Sequence, residues 1–230
     1  GKDIPKLRED RDLRVWEGDE TRIISIALDQ ARDELLYSDV KGKNPFKDRR
    51  VRQALYQAID IQAIKSQVMR GLATPTAILT PNPKGEGIPA ELDRRPAYDV
   101  NAAKALLAEA GYSKGFGFTL HCPNDRYVND EKICVALGAM WARIGLAVKV
   151  ETMPKAQYFQ RTPKKEFSAC MQGWGDNNRD LPGLGSLTGG QTSDHPGTIM
   201  SYCHQQAGGY QNIAHSFGRN HPYGVGAWRE

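Results

Sequence analysis

The sequence lacks the short motifs that mark many enzymes and metal proteins. It has no Cys-x-x-Cys pair, no Gly-x-Ser-x-Gly element and no glycine-rich phosphate loop. No apolar run approaches the roughly 20 residues of a membrane helix, and the N-terminal stretch shows no apolar region of a signal peptide. The net charge of +4 is mild, and no basic stripe is interleaved with aromatic residues, so we expect no binding to nucleic acid.

Cysteine is scarce as well, with four residues in a chain of 230. Cys122 and Cys134 flank a polar loop and would approach each other if the chain reverses there. We expect buried free thiols, which are common in protein cores, and we keep a Cys122–Cys134 bond as the alternative. Four of the five histidines lie near the C-terminus at irregular spacing, so we expect no metal site and no other cofactor.

Hydrophobic periodicity predicts an α/β fold. Apolar or alternating runs predict four strands, at 22–29, 117–122, 146–153 and 167–174. Helical spacing predicts one helix or two abutting helices across 48–70, and further helices at 99–111, 130–146 and 155–161. The proline-rich stretch 74–96 is expected to lack regular structure. The strand, helix and strand from 117 to 153 predict a βαβ unit with parallel strands, so we expect helices packed on a mixed sheet.

The composition divides the chain into three parts. Residues 1–22 are highly charged and are interpreted as a linker or edge segment, and residues 23–180 carry the α/β pattern. Residues 181–230 are rich in glycine and show no helical or strand period longer than about six residues. We therefore expect an irregular tail there.

The stretch "HCPNDRYVND" places Arg126 between aspartates in the loop after one predicted strand. A second polar loop, "GDNNRD", follows the strand that ends at Trp174. If the two strands are parallel neighbours, Arg126 and Asp176 lie at the same edge of the sheet, where ligands of α/β proteins bind. An arginine fork for a carboxylate and an aspartate for an ammonium group suit a zwitterion. The alternative, which spacing alone favours, pairs Arg126 with Asp125 or Asp130 and leaves Asp176 to cap a turn.

Four blocks of the chain resemble a known family. They are "NPFKDRRVRQALYQAIDIQAIKSQVMRGLATPT", "AYDVNAAKALLAEAGY", "CPNDRYVNDEKICVALGAMWARIGLAVKVETMPKAQYF" and "GWGD". Their order and spacing resemble the dipeptide- and oligopeptide-binding proteins of ABC importers. The resemblance spans about residues 20–180 and is more specific than any single motif.

The resemblance implies a periplasmic-binding-protein-like lobe at 23–180, in a bacterial, exported receptor that closes over its ligand by hinge motion. It implies that Arg126 binds the carboxylate of a peptide or related solute, and that Asp176 binds its amino end with Trp174 alongside. Asn124 and Asp180, in the same two loops, complete the candidate set. The implied partners are a peptide-like solute and the permease subunits of the importer, and we expect a monomer that is not an enzyme.

The chain also departs from the family pattern. No part of this sequence matches the family's larger first lobe, and the tail after Asp180 does not follow the family pattern. We therefore expect a fragment that forms one lobe, the C-terminal one, and we hypothesise that the tail is read in a shifted frame. Ligand binding by one lobe alone is expected to be weak or undetectable. The alternative function is a small α/β enzyme that holds a carboxylate substrate with Arg126. Its reactive group would come from Cys122, Asp125 or Asp130.

Overall fold

The computed structural model describes residues 3–16, 20, 22–79 and 88–175, with only the backbone at 174 and 175. It also places the backbone of two short strands at 197–198 and 213–214. The predictions for the other tail residues, including those on the four histidines and the reading frame, concern residues outside the described ranges. The division of the chain into three parts stays a prediction.

One mixed sheet forms the centre of the fold. Its strands are β1 (Arg22–Leu28), β2 (Gly117–Pro123), β3 (Ala147–Met153) and β4 (Ala169–Gly175), in the order β1-β4-β2-β3. Strand β2 is parallel to both β3 and β4, whereas β1 is antiparallel to β4. The predicted parallel βαβ unit is confirmed, and so is the mixed sheet. The two parallel pairings bring the carboxyl ends of β2, β3 and β4 to one edge.

The helices lie close to their predicted positions. They are α1 (Ile4–Glu9), α2 (Arg49–Gln57), α3 (Ile61–Ala63), α4 (Val100–Glu109), α5 (Asp130–Ala142) and α6 (Lys155–Arg161). A 3₁₀ turn at Pro45–Lys47 precedes α2, and a π-helical turn at Ile64–Val68 extends α3. Helix α1 was not predicted; it has no buried residue, so the sequence shows no apolar stripe for it.

Two short strands, β5 (Gly197–Thr198) and β6 (Ile213–Ala214), pair with each other in parallel.

Aspartate side chains cap the starts of α2, α3 and α4, as expected for this residue at N-caps. The carboxylate of Asp60 accepts a hydrogen bond from the amide of Ala63 at 2.9 Å, which begins α3. That of Asp99 accepts from Asn101 and Ala102, which begins α4. The region predicted as one or two helices is therefore two, because a new cap at Asp60 separates α3 from α2.

Two hydrophobic clusters pack on the sheet, and we call them the large core and the small core. The large core fills the space between the sheet and α2, α4 and α5, with Leu120 and Trp141 at 0% and 1% exposure. The small core lies beneath α6, and its buried members are Met153, Tyr158, Phe167 and Cys170. Successive residues of a strand point to opposite faces, so β2 sends Leu120 and Cys122 into the large core and His121 towards Phe167 of the small one.

Cys122 and Cys134 form a disulfide that joins β2 to α5. The expectation of free thiols is therefore wrong for this pair. The helix folds back across the strand that precedes it, and this return places the two fully buried side chains together. Cys170 is a buried free thiol, as expected, and burial raises its pKa to about 11. Cys203 lies outside the described residues.

Within the described ranges, none of the helices is long and apolar enough to cross a membrane.

Candidate functional site

The loop at 124–129 connects the end of β2 to the start of α5, and its aspartates support its backbone. Asp130 is 3% exposed, and its carboxylate accepts hydrogen bonds from the amides of Arg126 and Tyr127, both at 2.9 Å. Asp125 accepts from the amide of Lys155, the first residue of α6, at 2.5 Å. Both carboxylates are thus used by backbone N–H groups, which favour a charged acceptor.

The internal salt bridge expected from spacing alone is absent. Among the described residues, no carboxylate lies within ion-pair distance of the Arg126 guanidinium, and neither Asp125 nor Asp130 pairs with it. The carboxylates instead shape the loop that presents this side chain. The alternative in which Arg126 pairs with Asp125 or Asp130 is therefore wrong.

Tyr127 fastens the loop to strand β4. Its ring is 8% exposed, and its hydroxyl donates to the carbonyl of Gly173 at 2.9 Å and accepts from the Gly173 amide at 3.1 Å. Burial raises the pKa of this hydroxyl. A Cβ atom on Gly173 would lie 2.5 Å from the tyrosine ring and 2.6 Å from Ile24. A glycine is therefore required for this contact, which brings the loop against the strand that carries Trp174.

Arg126 lies against two aromatic rings. The central carbon of its guanidinium is 5.0 Å from the centroid of Tyr127 and 6.0 Å from that of Phe159 on α6. The side chain of Arg126 is exposed, and Phe159 is 44% exposed. Ring contacts restrict an arginine without using its N–H groups. The site therefore presents a positioned fork that can take a carboxylate in two parallel hydrogen bonds.

The other candidate residues were predicted to lie at the same edge of the sheet as Arg126. Strands β2 and β4 are parallel neighbours, as the prediction required, with Leu120 opposite Ala169. Trp174 is the penultimate residue of β4 and lies opposite Ile23 of β1 in the register. Asn124 is exposed at the edge, and its backbone N–H donates to the carbonyl of Met153 at 3.0 Å. Asp176 and Asp180 lie outside the described residues, so their roles stay predictions.

Sequence reasoning missed the contribution of α6. Phe159 and the amide of Lys155 belong to the surroundings of Arg126, although 33 and 29 residues of sequence, respectively, separate them from it. One signal was present in the sequence. Helix α6 directly follows β3, so its first turns lie at the carboxyl edge where ligands collect.

The reactive groups needed by the enzyme alternative are engaged elsewhere. Cys122 has no thiol because it is disulfide-bonded, and Asp125 and Asp130 accept backbone hydrogen bonds. No group of three or more metal-ligating side chains occurs in the part of the chain that the structure describes. Among the described residues, none of the three groups named for the enzyme alternative has a partner that would activate it as a nucleophile.

The structure places an exposed arginine, with no carboxylate partner among the described residues, at the carboxyl edge of the sheet. Comparison with known proteins names the family. The family described as bacterial extracellular solute-binding proteins, family 5, matches residues 1–195. The chain belongs to this family, whose members are binding proteins. The resemblance seen in the four sequence blocks is thereby confirmed.

Individual relatives have different named ligands. The chain is 36% identical to the probable deoxycholate-binding periplasmic protein YgiS of Escherichia coli, over 57% of this chain and 25% of the relative. It is 34% identical to the dipeptide-binding protein of the same organism, over 60% of this chain and 26% of the relative. It is 29% identical to heme-binding protein A of Haemophilus influenzae, over 77% and 31%. The chain thus spans about a quarter to a third of the length of these relatives.

Solved structures agree with the fold. HbpA2 of Haemophilus parasuis matches with a TM-score of 0.63 at 27% identity, covering 77% of this chain and 33% of that one. The dipeptide-binding protein of Pseudoalteromonas sp. SM9913, solved with Met-Leu, matches with a TM-score of 0.65 at 23% identity, covering 81% and 34%. The predicted periplasmic-binding-protein-like fold is confirmed.

Proposed function

We propose that this chain forms a ligand-binding lobe of an exported receptor that captures peptides or related zwitterionic solutes for an ABC-type importer. The observation that carries this proposal is the guanidinium of Arg126, exposed at the carboxyl edge of the sheet and positioned by Tyr127 and Phe159. A site that held this arginine for structural reasons would give it a carboxylate partner from its own loop. Both loop aspartates serve the backbone instead.

The names of the relatives support a carboxylate-binding role. Deoxycholate, dipeptides and heme differ in size and shape, but each carries a carboxylate. Because a guanidinium recognises a carboxylate by a fixed bidentate geometry, one arginine can serve all three classes while the rest of the site selects among them. We propose the peptide class because Asp176, two residues after Trp174 in the sequence, is suited to an ammonium group.

The remaining roles follow from this proposal. Asp176 binds the amino end of the solute, Trp174 lies beside it, and Asn124 and Asp180 line the cleft. The receptor acts in the periplasm as a monomer and delivers its solute to the permease subunits. Because binding in such receptors depends on burying the ligand between two lobes, the 230-residue chain should bind more weakly than micromolar.

The carboxylate role is tested by NMR titration of the 230-residue chain with the dipeptide Ala-Ala at millimolar concentration. We expect shifts in residues 124–129 and in α6, and at least about tenfold weaker binding of the C-terminal amide of Ala-Ala, because charge-assisted hydrogen bonds contribute about 1.5–3 kcal/mol. Arg126→Ala should abolish the preference for the free carboxylate. Micromolar or tighter binding by the isolated chain would contradict the one-lobe expectation.

Arg143→Ala is the matched control. Arg143 is also an exposed arginine near an aromatic ring, 5.9 Å from Tyr98, but it follows the far end of α5. Both variants should keep the melting temperature of the parent, since each removes an exposed side chain. Equal binding of the acid and the amide by the parent, or an equal loss in the two variants, would refute the role of Arg126. A fall in melting temperature for Arg126→Ala alone would assign the residue to folding.

A further inference from the structure

Helix α6 forms one wall of the Arg126 site. Its first amide, from Lys155, hydrogen-bonds Asp125 of the loop, and its side chain Phe159 lies beside the guanidinium. The helix has only seven residues, so its own hydrogen bonds cannot hold it in place. Its position therefore depends on the contacts beneath it.

Two side chains anchor α6 to the sheet. Tyr158 is 1% exposed, and its hydroxyl donates to the carbonyl of Met171 on β4 at 2.5 Å. Arg161 donates to Glu166 at 2.8 Å, and its Nη1 lies 3.7 Å from the carboxylate of Glu151 on β3. Its guanidinium also lies 4.7 Å from the ring of Phe167. The C-terminal end of α6 is thus held by the contacts of Arg161 with two carboxylates and the ring of Phe167.

His121 is buried in the middle of this group. Its side chain has 0% exposure, and its ring stacks on Phe167 with centroids 4.4 Å apart and faces Tyr37 at 5.0 Å. No hydrogen bond of normal geometry reaches a ring nitrogen from the described residues, although the Ala169 backbone is close enough to favour a protonated ring in part. A fully buried imidazole without such a bond is suited to the neutral state, because the charged ring would add a second N–H donor in a place without water.

Charged and titratable groups from the neighbouring elements surround the ring. Lys149 and Glu151 on β3 and Arg161 on α6 act on it electrostatically. Tyr37 faces the ring, and Cys170 on β4 lies opposite His121 in the strand register. Glu166 and Tyr158 contact the ring's neighbours Arg161 and Phe167. Among these, the carboxylate nearest to the ring is Glu151, with its Oε1 atom 3.8 Å from Nε2 of His121. The same oxygen lies 3.7 Å from Arg161. A proton on His121 would therefore compete with Arg161 for one acceptor.

We propose that His121 is an acid-sensitive latch for helix α6. While the ring is neutral, it fills the space beneath the helix and leaves Glu151 to Arg161. When it gains a proton, the ring either draws Glu151 away from Arg161 or moves towards water, and both changes loosen the end of α6. The wall that carries Phe159 then opens, so acid weakens the Arg126 site. This last step rests on the proposed function, whereas the opening of α6 does not.

The direction of the pH effect follows from the burial of the ring. Burial lowers the pKa of His121 below its ordinary value of 6.5, and Glu151 and the Ala169 backbone oppose this shift only in part. In an opened state the ring is hydrated and returns to its ordinary pKa. The opened state therefore binds the proton more tightly, and opening becomes easier as the pH falls through about 6.5. Below the pKa of the closed state the effect levels off.

The test is amide hydrogen exchange of the ligand-free 230-residue chain at pH 7.5, 6.5 and 5.0, expressed as protection factors. We expect protection in α6 to fall between pH 6.5 and 5.0, by at most about tenfold for each pH unit, because opening takes up one proton. Protection in α4, which packs in the large core, should stay constant. A drop of the same size in α4 and α6 would overturn the latch, because it would indicate global acid unfolding.

His121→Phe is the variant that removes the proton site and keeps a ring to stack on Phe167. Its α6 protection should not depend on pH, whereas an unchanged pH dependence would refute the proposal. If this variant does not fold, NMR titration of the His121 ring signal in the parent chain tests the latch instead. Titration at an ordinary pKa, without coupling to α6, would refute the latch. Since no ligand is present in either measurement, failure of the latch is distinguishable from failure of the Ala-Ala titration.

Discussion

The two cores of the molecule differ in the kinds of side chain that they bury. The large core is almost wholly aliphatic and aromatic, and the Cys122–Cys134 bond lies within it. The small core has four buried members, and two of them, Tyr158 and Cys170, carry ionisable groups. His121 lies beside them with no exposure. Since hydrophobic stabilisation scales with buried apolar area, the large core supplies most of the stability.

The large core stabilises the domain, whereas the small core positions one wall of the Arg126 site. Helices α2, α4 and α5 pack on the large core and carry no part of the site beyond the start of α5. Helix α6 packs on the small core and carries Phe159. Elements with few buried contacts open more easily than the rest of a domain. A site with one wall on a small core can therefore respond to a proton while the domain stays folded.

The largest expected effect comes from emptying the large core. Trp141 is 1% exposed, packs against Phe118 with ring centroids 5.8 Å apart, and donates its indole N–H to the carbonyl of Leu55 at 2.9 Å. Trp141→Ala should lower the free energy of unfolding by about 3–5 kcal/mol, measured by urea denaturation. Trp141→Phe, which keeps an aromatic ring, should cost less. If Trp141→Ala lowered the free energy of unfolding by less than about 1 kcal/mol, the large core would not be the main source of stability.

A somewhat smaller effect is expected from the disulfide. The double variant Cys122→Ala/Cys134→Ala opens a loop with a sequence separation of 12, which corresponds to about 3 kcal/mol. Exchange should increase in α5 and remain nearly unchanged in α6. A reducing agent should destabilise the parent and leave the double variant unaffected. Equal destabilisation of both proteins by the reducing agent would contradict the assignment.

The smallest effect belongs to the small core. Tyr158→Phe removes the hydrogen bond to the Met171 carbonyl and should cost about 1 kcal/mol of global stability. Its α6 amides should nevertheless exchange faster, while those of α5 do not. Tyr98→Phe serves as control because Tyr98 is 39% exposed. Faster exchange throughout the domain would mean that the two cores are one cooperative unit.

Much of the fold was predictable because its signals are local. Each strand of the sheet was predicted within two residues of its bounds, since alternating or continuous apolar runs identify a strand without knowledge of its partners. The caps at Asp60 and Asp99 are local too. Helix α1 was missed because a helix without buried residues has no apolar stripe.

The site was predictable only in part, because its geometry depends on residues far apart in sequence. Arg126 was selected from its loop, but spacing alone assigned it to a salt bridge. The structure gives Asp125 to Lys155 and Asp130 to the loop backbone. The support of Arg126 by Phe159 required knowledge of where α6 lies. Contacts of this kind form only when β2, β3 and β4 come together.

The sequence by itself determined the element types, the parallel βαβ unit and the family, because periodicity, caps and block order are properties of the chain alone. Only the tertiary structure decided the state of Cys122 and Cys134, the partners of the loop aspartates and the burial of His121. The physical reason is that a thiol, a carboxylate and an imidazole take their chemistry from their surroundings. Those surroundings are assembled by neighbouring strands and helices, some from distant parts of the chain.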